Sequence, residues 1–336
     1  MRVAINGFGR IGRCVLRSAA ESGVLGKAFD CIAINCTHSP KEISYYFTHD
    51  SIYGQFEGEV SYSENTLIIN GFEIRLVADR DPKNLPWKSL GIDCVIEATG
   101  SFTDRAGASL HLTAGAKKVL ITAPAKNPDV TIAPGVNDDV YDPSTHSIIS
   151  LASCTTNCLA PVAKVLEDNF GITSGFMTAV HAYTGDQTLT DDYHKKDLRR
   201  GRAAALSIVP TSTGAAKAIG DVLPSLKGKL DGIALRVPTP TGSMNSLVCT
   251  LTKEAGAEEV NSAMKKASEG KLKGILQYSE DELVSSDIIK NPHSSIFDSK
   301  LTKCIERTCS TYAWYDNEWG YSSRVVDAIC KTLNKA

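Results

Sequence analysis

In the stretch "ISLASCTTNCLAPVAKVLED" (149–168), Cys154 and Cys158 stand four residues apart where small polar residues give way to a periodic apolar run. Three chemistries suit such a pair: a disulfide, half of a metal site, or a nucleophile beside an inert neighbour. Past Cys154, Leu159, Val162, Ala163 and Leu166 keep the i, i+3, i+4, i+7 spacing of an amphipathic helix. Cys154 is therefore expected near a helix N-terminus, with Ser153, Thr155 and Thr156 as capping-type neighbours. Helical residues four apart hold their Cβ atoms about 5–6 Å from each other, whereas a disulfide needs about 3.5–4.5 Å. The pair cannot bridge without bending the helix. A zinc site would need further ligands, and the chain has neither a C-x-x-C nor a second cluster. For Cys154 there remains a nucleophilic thiol at the positive end of a helix dipole, where thiolate is favoured. Cys158, one turn further in, reads as a buried inert thiol.

A nucleophilic thiol needs a base or an electrostatic partner. His181 ends a strand-like run, "FMTAVH", directly before a charged segment, so it could stand at a sheet edge beside a site; a satisfied structural histidine is the plainer alternative. Arg200 lies in that charged segment, where solvation alone would explain it. Arg236 interrupts the apolar "GIALRVPTP", and a guanidinium there needs a partner such as a phosphate.

A second constellation opens the chain. "INGFGRIGR" sets Gly7, Gly9 and Gly12 in G-x-G-x-x-G spacing after a strand-like run and before a helical one. Such glycines permit a tight turn and close approach of a pyrophosphate to a helix N-terminus. Turn glycines without a ligand are the alternative, and the strand–loop–helix context favours a dinucleotide. One element is missing. The second strand normally ends on a carboxylate for the adenosine ribose, but here it ends "INCTHSP", Asn35 to Pro40, with no acid before Glu42.

The elements that must position these groups fall into two textures. Through the first half, strand-like "RVAIN", "CIAIN", "CVIEATG" and "KKVLITAPA" alternate with helical runs, which argues for a parallel sheet with crossover helices. After residue 150, longer strand candidates such as "SGFMTAVHAYT", "GIALRVPTPT" and "MNSLVCTLTKE" suggest an α+β layout around an antiparallel sheet. Residues 185–204 form a long polar loop, and loops of that length are usually functional or disordered. The final "WGYSSRVVDAICKTLNKA" puts Val325, Val326, Ile329, Cys330 and Leu333 on one helical face.

Bulk properties agree with a globular enzyme. The chain has 336 residues, 42% of them hydrophobic, and a net charge of −2, so electrostatics gives no case for nucleic-acid or membrane binding. No apolar run approaches the roughly 20 residues of a spanning helix. The opening "MRVAING" enters a strand-like run at once, so no leader is expected. Ten cysteines are too dilute for a disulfide scaffold, and most sit in apolar runs, so a reducing cytoplasm is expected.

Together, "SCTTNCLAP", "INGFGRIGR", "RVPTP" and "WYDNEWGYSSR" resemble the phosphorylating glyceraldehyde-3-phosphate dehydrogenases, from residue 1 to about residue 334. The resemblance implies an α/β Rossmann-type dinucleotide-binding domain, residues 1–150, completed by a C-terminal helix over 316–336. It implies an α+β catalytic domain with a mainly antiparallel sheet over 151–315. By the same resemblance, Cys154 is the thiolate that attacks the aldehyde and His181 the base. Thr184 and Arg236, supported by Asp186, match the site of the substrate's own phosphate. Ser153, Thr155, Arg200, Thr213 and Gly214 match the inorganic phosphate site. Asn317 matches the partner of the nicotinamide carboxamide, and Arg10, Ile11, Asn35, Arg80, Thr99, Gly100 and Thr122 match positions around the cofactor. A homotetramer follows, with 185–204 reaching toward a neighbour's cofactor, and the C-terminal helix packs back on the first domain.

The sequence departs from its relatives in places. "RVPTPTGSMNSL" replaces the usual "RVPTPNVSVVDL", the loop around "TDDYHKKD" is one residue longer, and Gly185 stands where glycolytic members carry asparagine. Those members carry Asp where this chain has Cys36. Its loss removes a repulsion against a 2′-phosphate, Thr37 matches a threonine that holds that phosphate in photosynthetic-type relatives, and His38, Ser39 and Arg80 add potential donors. NADP is the expected cofactor, with NAD as the alternative. The rival readings are an erythrose-4-phosphate dehydrogenase and an idle paralogue serving as a redox sensor or RNA-binding protein. The former generally diverges around "HAYTGDQ" and "PTSTGAAKA"; a complete site argues against the latter.

Overall fold

Apolar strands buried along their length form the centre of the first sheet, and alternating strands build the second. The computed structural model describes residues 1–195 and 197–334; Lys196, in the expected loop, and Lys335 and Ala336, in the expected C-terminal helix, lie outside them. The chain forms two compact units. One contains Met1–Pro134, Asp138–Ala152 and the segment from Ser322 on; the other contains Gly135–Asn137 and Ser153–Tyr321.

The first unit is a nine-stranded sheet. Across it run Val130–Thr131, Ile148–Ser150, Lys118–Ile121, Cys94–Glu97, Arg2–Asn6, Asp30–Asn35, Phe72–Val77, Thr66–Ile69 and Val60–Tyr62. The first seven are mutually parallel, and the last two pairings are antiparallel. "CVIE" is buried at every position and "RVAIN" at all but the first, as strands covered on both faces must be. Strand order reverses about Arg2–Asn6, which pairs Asp30–Asn35 on one side and Cys94–Glu97 on the other. In open α/β sheets, the crevice beyond the carboxyl ends at such a point is where ligands bind. The C-terminal segment belongs to this unit. Val325, Ile329 and Leu333 are buried, Ser323 Oγ lies 3.3 Å from Ser18 Oγ, and Thr332 donates to Asp138 at 2.6 Å.

The second unit's main sheet runs Val209–Ser212, Leu230–Val237, Ile172–Ala182, Ser243–Leu251, Thr308–Tyr315, Ser295–Asp298 and Leu276–Ser279, with Lys303–Ile305 also paired to Thr308–Tyr315. Five of its seven pairings are antiparallel. Ser243–Leu251 shows why: Leu247, Cys249 and Leu251 are buried while Val248 is exposed, the period-two pattern of a sheet with one covered face. The helix Cys154–Phe170 packs against strands of this sheet and against the helices Ala215–Val222 and Ala257–Glu269. No helix among the described residues is long and apolar enough to cross a membrane.

Candidate active site

Ser153 caps the helix Cys154–Phe170, its hydroxyl accepting from Thr156 N at 3.0 Å, so Cys154 sits in the first turn as its sequence spacing requires. His181, one residue from the end of Ile172–Ala182, places Nε2 3.5 Å from Cys154 Sγ. Its other nitrogen, Nδ1, donates to Ala182 O at 2.7 Å. With the proton on Nδ1 for that bond, Nε2 keeps a lone pair and faces the thiol. Arg236 stands directly opposite His181 in the parallel register of the neighbouring strand. Its Nη1 lies 2.9 Å from His181 Nδ1 and donates to Ala182 O at 3.2 Å and to Thr184 Oγ1 at 3.5 Å.

Electrostatics sets the resting protonation. Burial pushes the Cys154 thiol up, and the Arg236 guanidinium beside it only partly reverses this. Burial, reinforced by Arg236, pulls His181 from its ordinary 6.5 down to about 3. The helix N-terminus therefore does not deliver a standing thiolate by itself, contrary to the expectation from its dipole. Both shifts favour a thiol facing a neutral imidazole in the free site, with burial the larger cause for each group. Cys158 differs in kind. It is fully buried, its Sγ is 3.6 Å from Ala313 O and 3.7 Å from Ser295 Oγ, and burial raises its thiol far out of reach.

Around this pair stands a polar shell that motif reading missed. Tyr315 packs edge-on to His181, with its hydroxyl 3.0 Å from Thr155 Oγ1. Asn245 donates to Thr155 O at 3.0 Å. Ser243 Oγ accepts from Ala182 N at 3.0 Å and donates to Asn317 Oδ1 at 2.8 Å, and Thr241 Oγ1 also reaches that oxygen at 3.4 Å. Asn317 is thereby held with its amide oxygen engaged, leaving the NH₂ side as the donor it can offer. The available signal was their placement on inward-facing strand positions: Ser243, Asn245, Thr311 and Tyr315 are polar yet buried. Beyond Arg236, the departure "PTPTGSMN" puts Gly242 at φ +84°, where a Cβ would lie 2.2 Å from Ser285 O; the new glycine is required by its own backbone.

The other anion-site candidates sit on nearby turns. Arg200 pairs with Asp186 and, at 3.4 Å, with Asp197, so the loop is cross-braced and Asp186 faces Arg200. Thr213 Oγ1 accepts from Ala215 N at 3.1 Å, and Gly214 caps the helix Ala215–Val222.

In the first unit a cleft of about 680 Å³ opens at the switch point. Gly7, Gly9, Asn35, Thr37, Arg80 and Thr99 line it, together with Cys36 and His38. Gly7 has φ +91°, and a Cβ there would lie 2.7 Å from Thr99 Cγ2; one on Gly12 would lie 2.2 Å from Gly7 O. Nothing lies within 4 Å of a Cβ built on Gly9, and the helix Arg10–Glu21 that it caps has no side-chain cap bond. Open space before an uncapped helix N-terminus fits a pyrophosphate. Gly100, at φ +72°, is also open. Arg10 bonds Asp50 at 2.5 Å, Thr122 Oγ1 donates to Glu97 O at 3.0 Å, and Ile11 lies in the first helical turn.

A buried network that the motifs did not reveal braces this cleft. Trp87 Nε1 can only donate, and it donates to His111 Nδ1 at 3.0 Å; His111 Nε2 therefore carries the proton and donates to Glu97 Oε2 at 3.0 Å. Glu97 also accepts from Asn6 Nδ2 at 2.6 Å, Thr99 N at 2.8 Å and the Thr99 hydroxyl. Asn6 Oδ1 accepts from Asn35 Nδ2, and Asn35 clamps both backbone groups of Asp79. Asp79 is the one acid among the described residues that line this cleft with Cys36, and it was not apparent in "INCTHSP" because it follows the neighbouring parallel strand, Phe72–Val77.

Comparison with known proteins agrees with this geometry. Residues 1–105 match the family model described as glyceraldehyde 3-phosphate dehydrogenase, NAD binding domain, and residues 153–317 match its C-terminal domain. The chain is 54% identical over 329 residues to the glyceraldehyde-3-phosphate dehydrogenase of Streptomyces coelicolor, covering 97% of each. It is 55% identical over 332 residues to that of Mycobacterium avium and 54% identical over 333 to that of Mycolicibacterium smegmatis, covering 98% of this chain and 97% of the relative each time. With a thiol facing an oriented imidazole in one unit and an open glycine cradle in the other, the chain belongs to the glyceraldehyde-3-phosphate dehydrogenase family and is a nicotinamide-dinucleotide-dependent oxidoreductase.

Proposed function

We propose that Cys154 is the nucleophile and His181 its base in the oxidation of glyceraldehyde 3-phosphate. The reading rests above all on the 3.5 Å contact between Cys154 Sγ and His181 Nε2. The substrate's phosphate pairs with Arg236 and Thr184. The thiol proton moves to Nε2, the thiolate adds to the aldehyde carbon, and the imidazolium returns that proton to the carbonyl oxygen. His181 then accepts the proton of the resulting thiohemiacetal hydroxyl. The dinucleotide, when bound, supplies the hydride acceptor. Inorganic phosphate, held by Ser153, Thr155, Arg200, Thr213 and Gly214, attacks the Cys154 thioester and releases 1,3-bisphosphoglycerate. Asn317 orients the nicotinamide carboxamide through its NH₂ group. Gly7, Gly9 and Gly12 form the pyrophosphate cradle of the first unit.

NADP is the cofactor that this chain favours. Cys36, Thr37, His38 and Arg80 line the part of the cleft where the adenosine ribose would lie, with no acid at the end of the second strand. One observation favours NAD instead: Asp79 lines the same cleft, although its Oδ1 is engaged by Asp81 N at 2.8 Å. The test is kcat/KM for both cofactors in wild type, Cys36→Asp and Asp79→Asn. The account expects NADP use by wild type and a shift toward NAD in Cys36→Asp. A wild type blind to NADP would overturn it, and a gain of NADP use in Asp79→Asn would identify the acid that excluded it.

A homotetramer is supported by apolar side chains left in water. Phe176 is 72% exposed and pairs in register with Val248, with Ile233 close by on the same sheet; Leu189, Tyr193 and Leu198 project from the long loop. Sedimentation equilibrium checks this, and a monomer at micromolar concentration would contradict it.

A further inference from the structure

A second thiol group lies away from the reaction. Lys303–Ile305 turns through Glu306 and Arg307 onto Thr308–Tyr315, and Cys304 stands directly opposite Cys309. Their sulfurs are 3.1 Å apart, with both residues present as free thiols. In a hairpin with a two-residue turn, the residues flanking the turn, Ile305 and Thr308, are the hydrogen-bonded closing pair. The next pair, Cys304 and Cys309, is then a non-hydrogen-bonded one, where Cα atoms are about 4.5 Å apart. A disulfide spans about 4.4–6.8 Å between Cα atoms, so no backbone movement is needed. The alternation agrees: Lys303, Ile305 and Thr308 are exposed, while both cysteines turn to the other face.

The two thiols are unequal. Cys309 is fully buried, and burial raises its thiol; Cys304 is partly exposed. A third cysteine, Cys249, faces Cys309 from the opposite strand. There Cys309 forms the hydrogen-bonded kind of pair, with Cα atoms about 5.5 Å apart and side chains less close. Cys249 is the poorer partner. Nothing in the oxidation of the aldehyde uses any of the three.

We propose that Cys304 and Cys309 are a redox site: they form a reversible intrachain disulfide, with Cys304 as the point of entry for a small-molecule disulfide. The Cys304 thiolate attacks one sulfur of RSSR and displaces RS⁻, giving a mixed disulfide. The Cys309 thiolate then attacks the Cys304 sulfur and displaces the second RS⁻. The two protons lost by the cysteines go to the departing thiolates, so two protein thiols and RSSR become one protein disulfide and two RSH. Under a reducing glutathione poise the pair rests as the dithiol. Oxidation staples Lys303–Ile305 to the strand that carries Tyr315.

The chain's own cleavage sites supply the test. Trypsin cuts after Lys303, Arg307 and Arg324, leaving "CIER" and the peptide Thr308–Arg324 joined only if the bond has formed. The intact enzyme is incubated with oxidised glutathione, free thiols are blocked with iodoacetamide, and the digest is weighed without reductant. The expected product is the linked pair, two hydrogens lighter than its parts and separated by dithiothreitol. The oxidised protein should also melt at a higher temperature than the reduced one, a shift absent from Cys304→Ala. Recovery of the two peptides separately alkylated, of Cys304 carrying glutathione, or of Cys309 linked to Cys249 would each overturn the proposal.

Discussion

At the scale of single residues, the decisive fact is that one guanidinium serves two neighbours with opposite demands. Arg236 pulls the Cys154 thiol toward ionisation and holds His181 unprotonated. His181 therefore leaves a mark on stability. In the unfolded chain it protonates near 6.5, while in the folded protein it does so only at about 3. Between those values the unfolded state binds a proton that the native state refuses, so this group's contribution falls as pH drops through 6.5 and levels off near 3. At pH 5 the loss is about 2 kcal/mol relative to neutral pH. Urea unfolding of wild type and His181→Gln at both pH values should show the variant losing less stability on acidification; equal losses would mean that His181 is not buried neutral. Arg236→Ala should raise KM for glyceraldehyde 3-phosphate at least tenfold, with a much smaller effect on unphosphorylated glyceraldehyde, because only the first carries the anion. Equal losses with both substrates would make Arg236 structural.

Legibility at this scale was uneven. Cys154, His181 and Arg236 could be singled out because each broke a local pattern: a thiol at a helix start, a histidine ending a strand, a cation in an apolar run. Ser243 and Tyr315 break no pattern that a one-dimensional reading weighs, since each is satisfied by a partner 60 or more positions away. Ser243 meets Ala182 across 61 positions and Tyr315 meets Thr155 across 160, while Glu97 meets Asn6 across 91. Asp79 escaped notice for a related reason, because it follows the neighbouring parallel strand Phe72–Val77 and meets Asn35 across 44 positions.

At the scale of elements, the glycine turn was readable because each glycine has a separate steric reason. Those reasons predict different losses. Gly12→Ala drives a methyl group to 2.2 Å from Gly7 O and should destabilise the protein by about 1–3 kcal/mol, seen as a lower melting temperature with or without cofactor. Gly9→Ala meets no protein atom, so its melting temperature without cofactor should stay near wild type while KM for the dinucleotide rises. If Gly9→Ala bound the cofactor normally, the pyrophosphate would not sit in that space. The strands followed their sequence patterns equally well: continuous apolarity gave parallel pairing, and alternation gave a mainly antiparallel sheet. The short hairpin at Lys303–Ile305 was not foreseen, since three residues carry too little periodicity to register.

At the scale of the whole molecule, two compact units divide the work: one supplies a cradle for a dinucleotide, the other an oriented thiol–imidazole pair. The division into two textures was visible near residue 150, whereas the return of the C-terminal segment to the first unit depends on contacts such as Ser18 with Ser323, 305 positions apart. The central claim is that oxidation passes through a thioester on Cys154. It is tested by mixing the enzyme and its cofactor with glyceraldehyde 3-phosphate in the absence of inorganic phosphate, following reduced cofactor by absorbance and weighing the quenched protein. The account predicts a burst of about one reduced cofactor per active site, an acyl adduct on the peptide containing Cys154, release of the adduct on adding phosphate, and neither burst nor adduct in Cys154→Ser. A full burst in Cys154→Ser, or an adduct on Cys158 in the wild type, would contradict it.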